Sequence, residues 1–109
     1  MTLPKEETAN IFIKRDGGLV KKTIYIKHYF EYDGQLFMTH RGEGALSKFW
    51  VVSHYKTGLA VVKNEKTIKA IEEKFFLFYE KVKDQFQEVV NRALSEIGIA
   101  NESSEEASK

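Results

Sequence analysis

Three histidines, His28, His40 and His54, are the side chains of this sequence best suited to metal or acid–base chemistry. Neutral imidazole is a good zinc or nickel ligand, and the strand alignment argued below places His28 and His40 on one face of a sheet. The three histidines come from separate segments without a short ligand spacing, and the chain has no cysteine to assist them. Partly buried histidines bonded to the backbone explain the same residues. We therefore predict no metal site and no cofactor.

His54 lies three residues before Thr57-Gly58, a spacing that could place a base beside a hydroxyl. Nucleophilic catalysis needs that arrangement together with a donor pocket for the oxyanion. A hairpin turn closed by Thr57, with Gly58 at positive φ, explains the same residues without chemistry. The glycine-containing segments 17–18 and 42–44 lack the lysine and the helix start that a phosphate loop requires. We therefore predict that the protein is not an enzyme and has no catalytic residues.

Alternating aromatic and basic residues indicate a different activity, the binding of single-stranded nucleic acid. Aromatic rings on a basic sheet stack on unpaired bases at roughly 1–3 kcal/mol each, while lysines hold phosphates. The residues that would form this surface are Lys21, Tyr25, Lys27, Tyr29, Phe37 and Arg41. Tyrosine is also a good strand residue on a half-exposed surface, so nucleic acid is the alternative partner.

Five consecutive bulky residues, numbers 75–79, point to self-association. On a helix they occupy all sides, so one helix face packed on one sheet cannot bury them. A loop or the N-terminal arm folded over these residues is the other explanation. We predict a homodimer, and its contact residues are Phe76, Leu77, Tyr79, Val90 and Leu94.

The elements that position these residues follow from a change of periodicity near residues 63–64. Before it, short runs rich in Ile, Val, Phe and Tyr alternate with glycine turns, which is typical of hairpin-linked strands. After it, apolar residues recur every three or four positions from Thr67 to about Ile97, which predicts one amphipathic helix. Thr67 is its expected N-cap, with Asn64 as the alternative, and Gly98 its expected stop. The predicted fold class is α+β: an antiparallel sheet of about five short hairpin-linked strands followed by one long C-terminal helix.

The turns determine how the strands align. Asp16-Gly17 predicts a two-residue hairpin turn that pairs Ile13 with Val20, and we expect a bulge near residues 27–28 of the long second strand. For the second hairpin we prefer a three-residue loop, residues 32–34, to a two-residue loop, because it brings apolar residues to one face. That face would carry Ile24, Ile26, Phe30, Leu36, Met38 and His40.

A third hairpin is predicted over residues 56–58. Its two strands are apolar on both faces, which indicates that they are covered on both sides or lend one side to a partner. The segment from Trp50 to Gly58, WVVSHYKTG, resembles a W-x-V-[S/T]-H-x-x-T-G strand-turn motif found in short uncharacterised phage and mobile-element proteins. The resemblance implies a phage or prophage setting and assigns no catalytic residue.

Length and composition limit the remaining possibilities. With 109 residues, 42% of them hydrophobic and 30% charged, the chain is expected to form one domain with one core. We predict a flexible N-terminal arm over residues 1–9, a single domain over 10–98 and a disordered acidic tail over 99–109. The N-terminal residues have no apolar stretch typical of a signal peptide, and 18 apolar residues nowhere run together. We therefore expect no membrane contact and a cytoplasmic location, in the host cytoplasm if the protein is phage-encoded.

The net charge of +1 is divided unevenly. Residues 1–63 carry ten Lys/Arg and six Asp/Glu, whereas residues 64–109 carry seven and ten, giving +4 and −3. Ion pairs between the halves and a basic sheet offered to an anionic partner both explain this division. The sequence as a whole predicts a small non-enzymatic interaction module, a homodimer that binds an unidentified protein partner, with single-stranded nucleic acid binding as the alternative.

Overall fold

The computed structural model describes residues 2–102 and confirms the predicted α+β fold class. Five antiparallel strands form one sheet in the order β1-β2-β3-β4-β5, and one long helix follows them. The strands are β1 (Thr8–Arg15), β2 (Gly18–Tyr32), β3 (Gln35–Arg41), β4 (Trp50–His54) and β5 (Ala60–Glu65), with a 3₁₀ turn at Gly44–Leu46 and helix α1 at Ile68–Glu96. Because each strand pairs with its neighbour in sequence, short turns are enough to build the whole sheet.

The first hairpin has the predicted alignment, since Arg15 pairs with Gly18 and Ile13 with Val20. The second hairpin does not. Its turn has two residues, Asp33 (φ 53°) and Gly34 (φ 74°), and pairs Tyr32 with Gln35, so the predicted three-residue loop is wrong. Asp and Gly are the residues that accept positive φ most readily, which suits them to such a tight turn.

A bulge in β2 explains why the shorter turn still gives a buried alignment. Ile26 pairs with His40, but His28 pairs with Thr39, so Lys27 is the extra residue, as predicted for this region. The bulge reverses the facing of β2 halfway along its length. Ile26 therefore shares a face with His40, while Phe30 is paired with Phe37 on the other face.

Both faces of the sheet are covered, as the apolar character of the third hairpin suggested. One face, here called the helix face, packs against α1. Its buried cluster comprises Phe37, Val52, Val62, Ile71, Phe75, Tyr79, Phe86 and Val90. The other, the ribbon face, packs against β1 and the first half of β2 (residues 8–26, the ribbon). Its buried cluster comprises Ala9, Ile11, Leu36, Met38 and Tyr55. The cover on both sides therefore comes from the chain itself.

Helix α1 begins and ends where the sequence indicates. Thr67 Oγ1 accepts a hydrogen bond from the Ala70 N–H at 3.0 Å, which satisfies one of the unpaired donors of the first turn. At the other end, Gly98 adopts a φ of 97° and its N–H donates to the Ala93 carbonyl. The helix is unbroken over 29 residues, about 44 Å at 1.5 Å per residue.

The chain termini are attached more closely than the predicted arm and tail implied. Strand β1 begins at Thr8, and the Ile26 N–H donates to the Glu7 carbonyl at 2.8 Å. At the C-terminal end, Ala100 is buried, and Asn101 Nδ2 donates to the Asn10 carbonyl at 2.7 Å. These contacts arise because the outer edge of β1 offers backbone groups that need partners. Residues 103–109 of the predicted tail lie outside the described residues.

Candidate functional site

The five predicted self-association residues divide into two groups in the structure. Tyr79, with 2% of its surface exposed, lies in the helix-face core, and its hydroxyl donates to Asp33 Oδ2 at 2.9 Å. Burial, followed by this hydrogen bond, raises the pKa of the Tyr79 phenol. Val90 is buried in the same core and Leu94 is half-buried against it. The prediction of an intermolecular role for these three residues is therefore wrong, because the β2–β3 turn and the sheet already supply their partners.

Phe76 and Leu77 remain at the surface. Phe76 is 40% exposed, but its ring packs edge-on against Tyr32 with 5.0 Å between centroids. The expectation that Phe76 has no intramolecular partner is therefore wrong. Leu77 is 71% exposed, on the side of α1 that faces away from the sheet. Only part of the predicted contact surface is thus available to a second molecule.

A different set of residues forms an open apolar groove between α1 and β5. The cavity in this α1–β5 groove has a volume of about 270 Å³. Its apolar walls include Leu59, Val61, Phe78, Val82 and Val89. The recurrence of apolar residues every three or four positions predicts that Phe78 and Val89 belong to the core stripe of α1, yet they are 41% and 52% exposed. They lie beside the stripe that is buried, which runs through Ile71, Phe75, Tyr79, Phe86, Val90 and Ala93.

The groove lies next to an open sheet edge. Strand β5 is the last strand of the sheet, and its outer side pairs with no strand among residues 2–102. An unpaired edge presents backbone N–H and C=O groups that another chain can use. The groove lining and the unpaired edge both include residues of β5, so apolar side chains lie close to backbone groups that pair with no described strand.

The predicted nucleic-acid surface is divided between the two faces. Phe37 is fully buried beneath α1, so its predicted role is wrong. Arg41 also lies on the helix-face side, where its guanidinium carbon is 3.9 Å from the Trp50 ring centroid. Phe37 and Arg41 lie away from the predicted surface because the two-residue turn and the bulge at Lys27 together change the β2–β3 alignment on which that prediction depended.

The other four residues of that surface lie on β2. Tyr29 is partly buried, and its hydroxyl donates to the Glu6 carbonyl at 3.0 Å. Burial is the main cause that raises the pKa of Tyr29 to about 12. Lys21, Tyr25 and Lys27 remain exposed, with 77% of the Tyr25 surface accessible. Three of the six predicted residues thus stay accessible along one strand.

The histidines are satisfied individually rather than brought together. His28 Nε2 lies 2.5 Å from Glu72 Oε2 of α1 on the helix face. On the ribbon face, His40 lies 2.7 Å from Ser53 through Nε2 and 2.7 Å from the Arg41 carbonyl through Nδ1. Among the described residues, no group of three or more His, Cys, Asp or Glu side chains is placed to hold a metal ion.

His54 closes the β4–β5 turn. The Thr57 N–H donates to Nδ1, which fixes the proton on Nε2, and that nitrogen donates to Gln35 Oε1 at 2.9 Å. The Thr57 hydroxyl also lies 3.0 Å from Nδ1 and accepts the Leu59 N–H. Burial, and to a smaller extent Lys56, lowers the pKa of His54 to about 4. The imidazole is therefore neutral near pH 7, and its partners are those of the hairpin-turn interpretation.

The sequence did not point to the polar pair formed by His40 and Ser53, because the two residues are 13 positions apart on adjacent strands. A periodicity argument could have found it, since both occupy inward positions of apolar strands.

No helix within residues 2–102 combines the length and apolar character that a membrane span requires. Comparison of the chain with protein-family models, with curated proteins and with solved structures finds no match.

Proposed function

We propose that this protein is a small non-enzymatic interaction module of phage or mobile-element type, which forms a homodimer and acts by binding a protein partner. The observation that carries this proposal is the exposed apolar groove between α1 and β5. Phe78 and Val89 both stand more than 40% open to solvent there. Contiguous apolar surface of this kind, next to a free strand edge, is typical of protein interaction sites.

A second copy of the chain fits the groove because its apolar residues can complement themselves. In a two-fold interface, a residue that contacts another is contacted by it in return. Phe78 and Val89 are about 16 Å apart along the helix axis. An axis between Val82 and Gln85 would set Phe78 of each copy against Val89 of its partner. Leu77 is not among the residues that line the groove, because it lies on the side of α1 that faces away from the sheet.

Self-association also accounts for the exposed β5 edge. Pairing of this edge across a two-fold axis would remove the unpaired backbone groups on both copies at once. The protein partner would then bind to a dimer that offers two equal copies of every remaining surface, a common arrangement in homo-oligomers.

The nucleic-acid alternative has less support, because three accessible residues on β2 provide only one aromatic ring. A single stacked base contributes roughly 1–3 kcal/mol to binding. This is little compared with the entropy that a single-stranded nucleic acid loses when the protein orders it. A titration with a labelled single-stranded oligonucleotide at two salt concentrations tests it. Salt-sensitive binding that Tyr25→Ala weakens would favour this alternative over the protein module.

Sedimentation velocity over a range of concentrations tests the dimer directly. We expect a mass of twice 12.6 kDa at high micromolar concentration, and a monomer for Phe78→Glu and for Val89→Glu. Leu19→Glu is the matched control, because Leu19 is 44% exposed and lies outside the groove. It should stay dimeric. A wild-type monomer at high micromolar concentration contradicts the proposal.

Phe76→Glu tests whether the dimer contact lies on the β2 side or on the β5 side of α1, because Phe76 packs against Tyr32 of β2. Dissociation by Phe76→Glu, with Phe78→Glu still dimeric, would place the contact on that flank and contradict the use of the groove.

A further inference from the structure

The ribbon face contains another cavity, here called the ribbon cavity, on the side of the sheet opposite the α1–β5 groove. Its volume is about 530 Å³, roughly twice that of the α1–β5 groove. Residues of both edge strands line it, 11–15 of β1 and Ala60, Lys63 and Asn64 of β5. A volume in this range is typical of sites that bind small molecules.

The interior of the ribbon cavity is mainly aliphatic. Ile11, Ile13, Leu46 and Val51 contribute its larger apolar side chains. Phe12 is the one aromatic residue among its described lining residues. Sites that recognise nucleobases rely on aromatic stacking, so this lining suits an aliphatic ligand better than a base.

The charge of the ribbon cavity is mainly positive. Strand alternation places Arg15 on the cavity side of β1 and Lys63 on the cavity side of β5. Glu43 is the single carboxylate among the described lining residues, and its Oε1 forms an ion pair with Lys22 Nζ at 2.8 Å. Arg15 and Lys63 are left to attract an anion, and the low-dielectric walls beside them strengthen that attraction.

Two buried polar side chains of the cavity, His40 and Ser53, satisfy each other. His40 and Ser53 are 2% and 1% exposed. The Arg41 carbonyl can only accept, so His40 Nδ1 carries the proton and Nε2 accepts from the Ser53 hydroxyl. An apolar ligand can therefore cover this pair without leaving a polar group unpaired, which would otherwise cost about 1–3 kcal/mol.

From the aliphatic walls, the two cations and the self-satisfied polar pair, we propose that the ribbon cavity binds a small amphipathic anion. The ligand has an aliphatic body, held against Ile11, Ile13 and Val51, and an anionic head, a carboxylate or a phosphate, held by Arg15 of β1 and Lys63 of β5. This site is on the opposite face of the sheet from the α1–β5 groove.

Trp50 provides a built-in reporter, because it is the single tryptophan of the chain and directly precedes Val51 of the cavity lining. We would titrate the full chain with dodecanoate and with dodecyl phosphate, below the concentrations at which they form micelles. Dodecanol and dodecyltrimethylammonium serve as uncharged and cationic counterparts. We expect saturable fluorescence changes with both anions and at least tenfold weaker binding of the two counterparts.

Charge-reversal variants then test the position of the site. Arg15→Glu and Lys63→Glu should each weaken dodecanoate binding about tenfold. Lys21→Glu and Lys66→Glu are matched controls, because they make the same charge change at exposed positions outside the cavity lining. They should leave the affinity within twofold. Equal weakening by all four variants would mean general charge attraction and would overturn the proposal.

The length of the aliphatic chain separates binding in a cavity from adsorption on a surface. From hexanoate to hexadecanoate, the affinity should rise and then level off once the cavity is filled. An affinity that rises steadily to the longest chain, or a cationic ligand that binds as tightly as the anions, would overturn the proposal. Methyl NMR signals of Ile11 and Val51 should shift on binding, and far-UV circular dichroism should stay constant.

Discussion

The helix face of the sheet is packed with interlocking aromatic rings, whereas the ribbon face is mainly aliphatic and carries an open cavity larger than the α1–β5 groove. On the helix face, Phe37 packs 4.6 Å from Phe75 and 5.8 Å from both Tyr79 and Phe86, measured between ring centroids. On the ribbon face, the one aromatic pair among residues 2–102 is the edge-on contact of Tyr29 with Tyr55. The two faces are built on the same strands, so the difference comes from what covers them.

The two covers are held in different ways. A single rigid helix can press a continuous stripe of side chains into one face. The ribbon is a pair of strands, joined to the β4–β5 turn by the Phe12 N–H, which donates to the Gly58 carbonyl, and to the segment after β3 by the Lys22–Glu43 ion pair. Its tip, residues 14–20, is exposed, and the ribbon cavity lies beside it. The stable core and the candidate ligand site therefore lie on opposite faces.

Truncation of one phenylalanine on each face should give the largest contrast. Phe37→Ala removes a fully buried ring beneath α1, and we expect it to lower the free energy of unfolding by about 3–5 kcal/mol. Phe12→Ala removes a half-buried ring beside an existing cavity, and we expect a loss of about 1 kcal/mol. Urea denaturation measures both. Equal losses would show that the ribbon face is packed as tightly as the helix face.

Acid should destabilise the helix face through His54. Its pKa is about 4 in the fold, against 6.5 for an unperturbed histidine. The unfolded chain therefore binds more protons between these values, and stability is lost as the pH falls from 6.5 to 4. The shift corresponds to about 3 kcal/mol. Urea denaturation at several pH values should show this loss, and His54→Gln should flatten it.

His40 gives the matching measurement on the ribbon face. Burial lowers its pKa too, but the hydrogen bond to the Arg41 carbonyl and the charge of Glu43 oppose the shift. We expect His40→Gln to flatten the acid dependence less than His54→Gln does. A larger effect of His40→Gln would reverse the assignment of acid sensitivity to the helix face.

The local features of this fold were predictable from sequence, because short-range chemistry decides them. The Thr67 cap, the Gly98 stop and the turn at Asp16-Gly17 depend on residues close in sequence. The second hairpin shows where that approach fails. A bulge at Lys27 and a two-residue turn at Asp33-Gly34 compensate for each other, and only the combination of the two fixes the alignment.

The candidate sites were harder to predict, because they depend on the rotation of α1 and on contacts far apart in sequence. Tyr79 and Phe78 are neighbours on the helix with similar apolar character, and periodicity alone favoured Phe78 as the core residue. Tyr79 is buried instead, because its hydroxyl reaches Asp33, 46 positions earlier in the chain. With Tyr79 on the buried side of α1, its neighbour Phe78 lies toward β5. Phe78 therefore lines the exposed groove.

The smallest expected difference between the two faces concerns residues 100–101, which hydrogen-bond to Asn10 of β1. Asn101 Nδ2 donates to the carbonyls of Asn10 and Tyr55, and Asn101 Oδ1 accepts the Asn10 N–H. Asn101→Ala removes all three bonds, and we expect a loss of about 1–2 kcal/mol because the partners are only partly buried. Hydrogen exchange should become faster in β1 and remain unchanged in α1.

Glu102→Ala is the matched control, because Glu102 contacts Tyr55 through its backbone carbonyl, which the substitution keeps. Faster exchange throughout α1 would mean that the two faces unfold as one unit, and the ribbon would then have no independent motion with which to admit a ligand.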